Sequence, residues 1–130
     1  MQGQAKILIV EDDQDARAML EFALSHVGYQ VLAAPTGSSA LLQLDLFRPD
    51  VVLLDIMMPG IDGWETLQHI RESYRAAVIV LTGLADRAIK ARCREYGADA
   101  CLIKPINLQQ LYATVQTCLS RLTPDTLTGE

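Results

Sequence analysis

The chain has 130 residues, half of them hydrophobic, and carries 16 acids against 11 bases for a net charge of −5. That length suits one domain around one core, since domains most often run to about 100–150 residues. The mild acidity argues against nucleic-acid binding by this domain, which calls for a basic face to displace counterions.

The first apolar run, Ile7–Val10, predicts a strand and leads directly into Glu11-Asp12-Asp13. Ala16, Met19, Leu20, Ala23, Leu24 and Val27 then recur at helical spacing, and Gly28 supplies a stop. A second strand is expected over Tyr29–Ala34, followed by a helix carrying Leu41, Leu42, Leu44 and Leu46. The third strand, Val51–Leu54, ends at Asp55, and Trp64, Leu67 and Ile70 mark the next helix. Val78–Leu81 is a fourth strand ending at Thr82; Leu84, Ala88, Ala91 and Tyr96 predict a helix that Gly97 closes. Ala100–Ile103 is the fifth strand and runs into Lys104-Pro105. A last helix carries Leu108, Leu111, Tyr112, Val115 and Leu119, and the polar residues 123–130 are expected to form a tail or the start of a linker.

Most of the strand runs are continuous rather than alternating, as in strands covered on both faces. Alternation of strand and helix implies a parallel sheet with right-handed crossovers and helices on each side. The longest unbroken apolar stretch, Ala76–Leu81, is far short of the roughly 20 residues of a membrane helix. No basic segment leads into an apolar one at Met1, so no signal peptide is expected. The three cysteines, Cys93, Cys101 and Cys118, lack a CxxC or Cys/His spacing. Reduced thiols in a cytoplasmic protein without a membrane partner fit better than a disulfide framework or a zinc site.

Ligand sites in open α/β sheets lie outside the carboxyl ends of the strands. Here those ends offer Glu11 and Asp12, Asp55, Thr82 and Lys104, and an order 2-1-3-4-5 would bring them to one rim. Crowded carboxylates repel unless a cation joins them, and Mg²⁺ takes hard oxygen ligands from one or two carboxylates, water and phosphate. Asp12 and Asp55 are the expected direct ligands, with Glu11 holding a coordinated water. Asp55 is also the candidate nucleophile toward a phosphoryl group, with Lys104 and Thr82 placed to meet its oxygens. Each piece alone has a plainer reading: a helix N-cap for Glu11-Asp12-Asp13, a turn for Asp55, a strand terminator for Lys104-Pro105. The combination, at successive strand ends, favours a pocket.

The opening Ile7–Asp13, the segment Asp55-Ile56-Met57-Met58-Pro59-Gly60-Ile61-Asp62-Gly63, Leu81-Thr82-Gly83 and Gly97–Pro105 resemble the receiver domain of two-component response regulators. The resemblance covers residues 5–122 and implies a flavodoxin-like (βα)₅ fold with strand order 2-1-3-4-5. It implies phosphotransfer from a histidine-kinase phosphohistidine, or a phosphotransfer protein, to Asp55. It also implies Mg²⁺ held by Asp12, Asp55 and the backbone carbonyl of Met57, with Glu11 acting through water. Thr82 would move toward the phosphoryl group, Lys104 would touch it, and the Lys104-Pro105 bond would be cis. The switched face would be the fourth helix, fifth strand and fifth helix, acting on an effector domain or protein. Such a chain is no enzyme beyond catalysing its own phosphorylation and dephosphorylation.

The chain departs from the receiver pattern in places. Cys101 stands where receivers commonly carry Tyr or Phe, and Ile106 where Phe is common. Gln110 and Thr114 replace an acid and an arginine used by receivers that dimerise through the last strand and its flanking helices, which weighs against that type of homodimer. Arg87, Lys90 and Arg94 share a stripe on the fourth helix, as a solvated face or a docking face. Met57 and Leu84 place large apolar groups beside the acceptor and predict a slowly decaying phospho-form. Two other functions compete: an interaction module that works without phosphorylation, and an aspartyl phosphatase. The phosphatase lacks a second Asp two residues past the nucleophile, where Met57 stands.

Overall fold

The computed structural model describes residues 4–57, 63–84 and 86–122. Residues 58–62 of the Asp55–Gly63 motif, and the expected tail at 123–130, lie outside them. Among the described residues five strands alternate with five helices: β1 (Lys6–Val10), α1 (Gln14–His26), β2 (Gln30–Ala34), α2 (Gly37–Phe47), β3 (Val51–Asp55), α3 (Gly63–Ser73), β4 (Ala77–Thr82), α4 (Arg87–Glu95), β5 (Ala100–Ile103) and α5 (Leu108–Leu122). All strand pairs are parallel and the sheet order is β2-β1-β3-β4-β5, as expected.

Both faces of the central strands are buried, which is why their sequences run apolar without a break. Leu8, Val10, Val52, Leu54, Val78 and Val80 pack toward Ala40 and Leu44 of α2, Leu67 and Ile70 of α3, and Cys93 of α4. The alternate residues Ile7, Ile9, Leu53, Ile79 and Leu81 pack toward Leu20 and Leu24 of α1 and Leu111, Val115 and Cys118 of α5. Period-two geometry splits each strand between two cores. Each fully buried Leu or Ile contributes about 1.5–3 kcal/mol of hydrophobic free energy.

The helix boundaries follow from local chemistry. Asp13 caps α1, its Oδ2 accepting the Ala16 N–H at 2.8 Å. Thr36 and Ser39 form a reciprocal capping box on α2, and Asp86 accepts the Ile89 N–H to start α4. Gly28 and Gly97 end α1 and α4 with φ of +106° and +88°, the left-handed region where a side chain is strained.

The face of α4 differs from the expected one. Leu84 precedes the helix, while Ala88 and Ala91 are exposed; Tyr96 packs inward as expected, and Ile89 and Cys93 join it in place of the others. In this short helix two small alanines mimic an apolar stripe, although neither offers enough surface to drive packing. On α1, Met19 and Val27 likewise fall at helical spacing but remain largely exposed at the margins of the buried stripe.

Candidate functional site

Strand register carries the functional side chains to one rim. Val10 lies opposite Leu54, so Glu11 comes level with Asp55. Asp55 lies opposite Leu81, one residue before Thr82, and Thr82 lies opposite Ile103, one residue before Lys104. The backbone bonds Ile56 N–H to Leu81 O (3.1 Å) and Lys104 N–H to Thr82 O (2.7 Å) hold these ends together. The rim sits where the chain leaves β1 for β2 on one side and returns as β3 on the other. Such reversals of strand order leave a crevice at the carboxyl ends.

Three carboxylates meet there. Oxygens of Glu11, Asp12 and Asp55 lie within 4.8 Å of one another, with Glu11 and Asp55 buried and Asp12 exposed. Lys104 Nζ donates to Glu11 Oε1 at 2.8 Å and to Asp55 Oδ2 at 3.1 Å. The Asp13 N–H donates to the other Glu11 oxygen at 3.1 Å, and the Met57 N–H donates to Asp55 Oδ1 at 3.0 Å. Burial holds the Glu11 carboxyl above its ordinary range; the Lys104 and Asp13 bonds work against that shift, and Asp55 adds to it. Burial pulls the Lys104 ammonium down, but its two carboxylate partners outweigh this and hold it above the usual lysine range.

Thr82 is fully buried, and its Oγ1 accepts the Leu84 N–H at 3.0 Å, which keeps the hydroxyl proton available for another acceptor. Met57 and Leu84 are both substantially exposed beside the acidic cluster. The Lys104-Pro105 bond is cis. Glu11, Asp12, Asp55, Thr82 and Lys104 thus meet at this rim, with the Met57 N–H on Asp55, and the acidic triplet divides its work. Asp13 is the helix cap of the plainer reading, while Glu11 and Asp12 join Asp55.

Sequence reasoning missed two supports. The Arg17 guanidinium donates to the carbonyls of Glu11 (2.9 Å) and Asp12 (3.3 Å), fixing the acidic turn from the first turns of α1. A cation six residues past Glu11 was the available signal. Arg71 of α3 reaches Gly97 O (3.3 Å) and Asp99 Oδ2 (3.4 Å), and Asp99 also accepts the Val78 N–H at 2.8 Å. Nothing in the local pattern around Arg71 points to that contact, which spans 26–28 residues.

Gln110 and Thr114 lie on α5 beside β5, in a groove they share with Asp99 and Arg121. Arg87, Lys90 and Arg94 are exposed on α4. Among the described residues no helix is long and apolar enough to cross a membrane.

Residues 7–116 match the family model of the response regulator receiver domain. The chain is 39% identical over 122 residues to a probable transcriptional regulator ycf27 of Galdieria sulphuraria, covering 94% of this chain and 48% of the relative. It is 43% identical over 118 residues to the uncharacterized transcriptional regulatory protein YrkP of Bacillus subtilis, covering 91% and 51%. The chain thus spans about half the length of these curated relatives. Among solved structures it is similar to the chemotaxis protein CheY4 of Vibrio cholerae, with a TM-score of 0.86 at 32% identity, covering 90% of this chain and 100% of that one. It is also similar to a CheY-like receiver domain protein of Methanospirillum hungatei, with a TM-score of 0.88 at 27% identity, covering 95% and 99%. With the strand order, the rim and the family match in agreement, the chain belongs to the response regulator receiver family of two-component signalling.

Proposed function

We propose that this receiver takes a phosphoryl group from a histidine-kinase phosphohistidine, or from a phosphotransfer protein, onto Asp55. The domain would comprise residues 5–122, with 123–130 leading to a tail or linker. The observation that carries the reading is the Asp55 carboxylate, buried at the end of β3 beside Glu11 and Asp12 with the Lys104 ammonium 3.1 Å away. Clustered buried anions cost stability unless a charged partner is part of their use.

The donor set suits Mg²⁺. It consists of hard carboxylate oxygens gathered within 4.8 Å, with Asp12 open to solvent for a hydrated ion. Asp12 and Asp55 would hold the ion directly, Glu11 through water, and the Met57 carbonyl would complete the protein's share. Bound there, Mg²⁺ supplies charge neutralisation for the phosphoryl oxygens.

The protein's own residues do the rest. An Asp55 oxygen attacks phosphorus, the phosphorus–nitrogen bond of the phosphohistidine breaks, and the imidazole leaves. Lys104 moves from carboxylate to phosphoryl oxygens, and the Thr82 hydroxyl donates to one of them. At an effective dielectric near 20, a unit charge pair at 4 Å is worth about 4 kcal/mol. The added negative charge, about one unit, is therefore enough to redirect Lys104 and Thr82. The α4–β5–α5 face would then change and act on an effector domain or protein, in the cytoplasm.

Incubation with Mg²⁺ and acetyl phosphate should add one phosphoryl mass that hydroxylamine removes, and Asp55→Asn should abolish it. A properly folded chain that binds Mg²⁺ yet never gains that mass would sink the proposal. It would leave the interaction-module reading, toward which Cys101 points.

A further inference from the structure

The α4–β5 junction holds a second chemically distinctive pair. Cys93 is the one fully buried residue of α4, and Cys101 lies on the neighbouring edge strand, half-buried. Cys101 packs against the buried cluster that includes Cys93, close enough for its thiol to act on that of Cys93. The Ala98 N–H returns to Cys93 O at 2.9 Å, closing the turn between α4 and β5. Both line a surface groove of ≈ 290 Å³ whose rim carries Lys90, Arg94 and Asp99. Solvent and small oxidants reach that groove.

We propose that Cys93 and Cys101 form a reversible dithiol–disulfide site, oxidised by hydroperoxides, which ties α4 to β5. Two thiols that line one groove can close to a sulfur–sulfur bond of about 2.05 Å when α4 settles toward β5. In reducing compartments such pairs serve redox sensing more than architecture. The roles of the two sulfurs differ. Burial, together with the adjacent Cys101 thiol, pushes the Cys93 thiol up to about 12, so Cys93 is a poor first nucleophile. Cys101 is the more accessible and reacts first.

Its sulfur attacks a peroxide oxygen, the O–O bond breaks, and the thiol proton joins the departing hydroxide as water, leaving a sulfenic acid on Cys101. The Cys93 sulfur then displaces the hydroxyl from the Cys101 sulfur. The S–O bond breaks, the S–S bond forms, and the Cys93 proton leaves with the hydroxyl as a second water. The two thiols give up two electrons and the peroxide takes them; a dithiol reductant reverses the process.

The regulatory consequence rests on the proposed function, in which α4 and β5 belong to the switched face. A cross-link would hold α4 in one position whatever the state of Asp55. Trp64, the single tryptophan, reports on α4: Arg92 stacks over its ring at 4.5 Å, and its centroid lies 5.3 Å from that of Tyr96.

Hydrogen peroxide should remove two thiols per chain and yield one peptide pair joining Cys93 to Cys101, restored by dithiothreitol. Cys118, buried in α5, should stay reduced. Cys93→Ser should stop the cross-link and leave a sulfenic acid on Cys101 that a cyclic dione traps, and Cys101→Ser should stop both products. Oxidised chain should still gain the phosphoryl mass from acetyl phosphate but lose the accompanying change in Trp64 fluorescence. Cross-links through Cys118 or between chains, or a native Cys101 that oxidises without ever pairing to Cys93, would overturn the site. An unchanged Trp64 response in the oxidised chain would overturn the lock. Because the peptide mapping needs no phosphoryl group, a failure of Asp55 labelling would count against the proposed function alone.

Discussion

Lys104→Met removes the cation that sits between two buried carboxylates while keeping the length of the side chain. Lys104 Nζ lies 2.8 Å from Glu11 Oε1 and 3.1 Å from Asp55 Oδ2, and both partners are at least 95% buried. Breaking a buried pair costs about 3–5 kcal/mol through the charge left behind. The lysine is 31% exposed, so solvent screens part of that loss, and about 2–3 kcal/mol at pH 7 in a chelating buffer is the expected figure. In a domain of this size such a loss lowers Tm by roughly 6–12 °C.

The loss should depend on pH in a particular way. Glu11 has a raised folded-state pKa, so its ionised form lowers stability as pH rises above its ordinary value of 4.5, and protonation relieves the penalty. Without Lys104 that pKa climbs further, so the gap between variant and wild type should shrink as pH falls toward 4.5. Lys104 has a raised pKa as well, so its stabilising effect is complete below 10.5 and disappears as pH rises through the folded value. The two curves should converge at both ends. Urea unfolding in chelator, repeated across pH, measures this directly. Adding Mg²⁺ should rescue the variant more than wild type, because the ion no longer competes with an ammonium. Equal stabilities at pH 7, or a gap that ignores pH, would refute the electrostatic account of the rim.

Other perturbations test separate parts of the structure. A Cβ at Gly63 would come within 2.6–2.9 Å of the Ile56 backbone, so Gly63→Ala should cost about 3 kcal/mol or more in urea unfolding. Asp13→Ala removes the α1 cap and should cost about 1 kcal/mol while leaving phosphoryl uptake intact, separating Asp13 from its acidic neighbours. Met57→Asn or Leu84→Ser, at exposed apolar positions beside the acceptor, should shorten the life of the phospho-form several-fold; loss of the phosphoryl mass over time after removal of acetyl phosphate gives the rate.

The architecture was legible because the central strands are covered twice. Val51–Leu54 and Val78–Leu81 run apolar as strands of a parallel sheet between helices do, and that sheet then dictated which residues share a rim. Glu11, Asp55, Thr82 and Lys104 could be grouped in advance since each follows or ends a strand, where register leaves little freedom. Less could be read where side-chain size rather than periodicity decides. Ala88 and Ala91 look apolar yet bury nothing, while Cys93 and Ile89 anchor α4. Long-range polar contacts were the least accessible. The Lys104 bond to Glu11 spans 93 residues, and only folding reveals that the lysine is shared between two carboxylates.

The absence of an aromatic at position 101 bears on how a charge at Asp55 could reach the outer face. Two routes remain within the described residues. Thr82 accepts the Leu84 N–H, so drawing its hydroxyl toward a phosphoryl oxygen pulls on the segment that leads to Asp86, the cap of α4. Lys104 is bonded through its own backbone N–H to Thr82 O, so a shift of either residue is felt at the end of β5. Against these pulls, α4 is held by one buried side chain, whereas α1 has three and α3 has four. A helix so lightly anchored needs little free energy to move. A bias of about 5.5 kcal/mol is enough to invert a 99:1 population, and one charge contact of about 4 kcal/mol from Lys104 with one hydrogen bond of about 1.5–3 kcal/mol from Thr82 to a charged group, partly offset by those they replace, comes close to that range. On this view Cys101 frees the space an aromatic ring would fill, and the anchoring of α4 passes to Cys93. The strength of the switch would then depend on how firmly the buried Cys93 side chain seats α4 against the sheet.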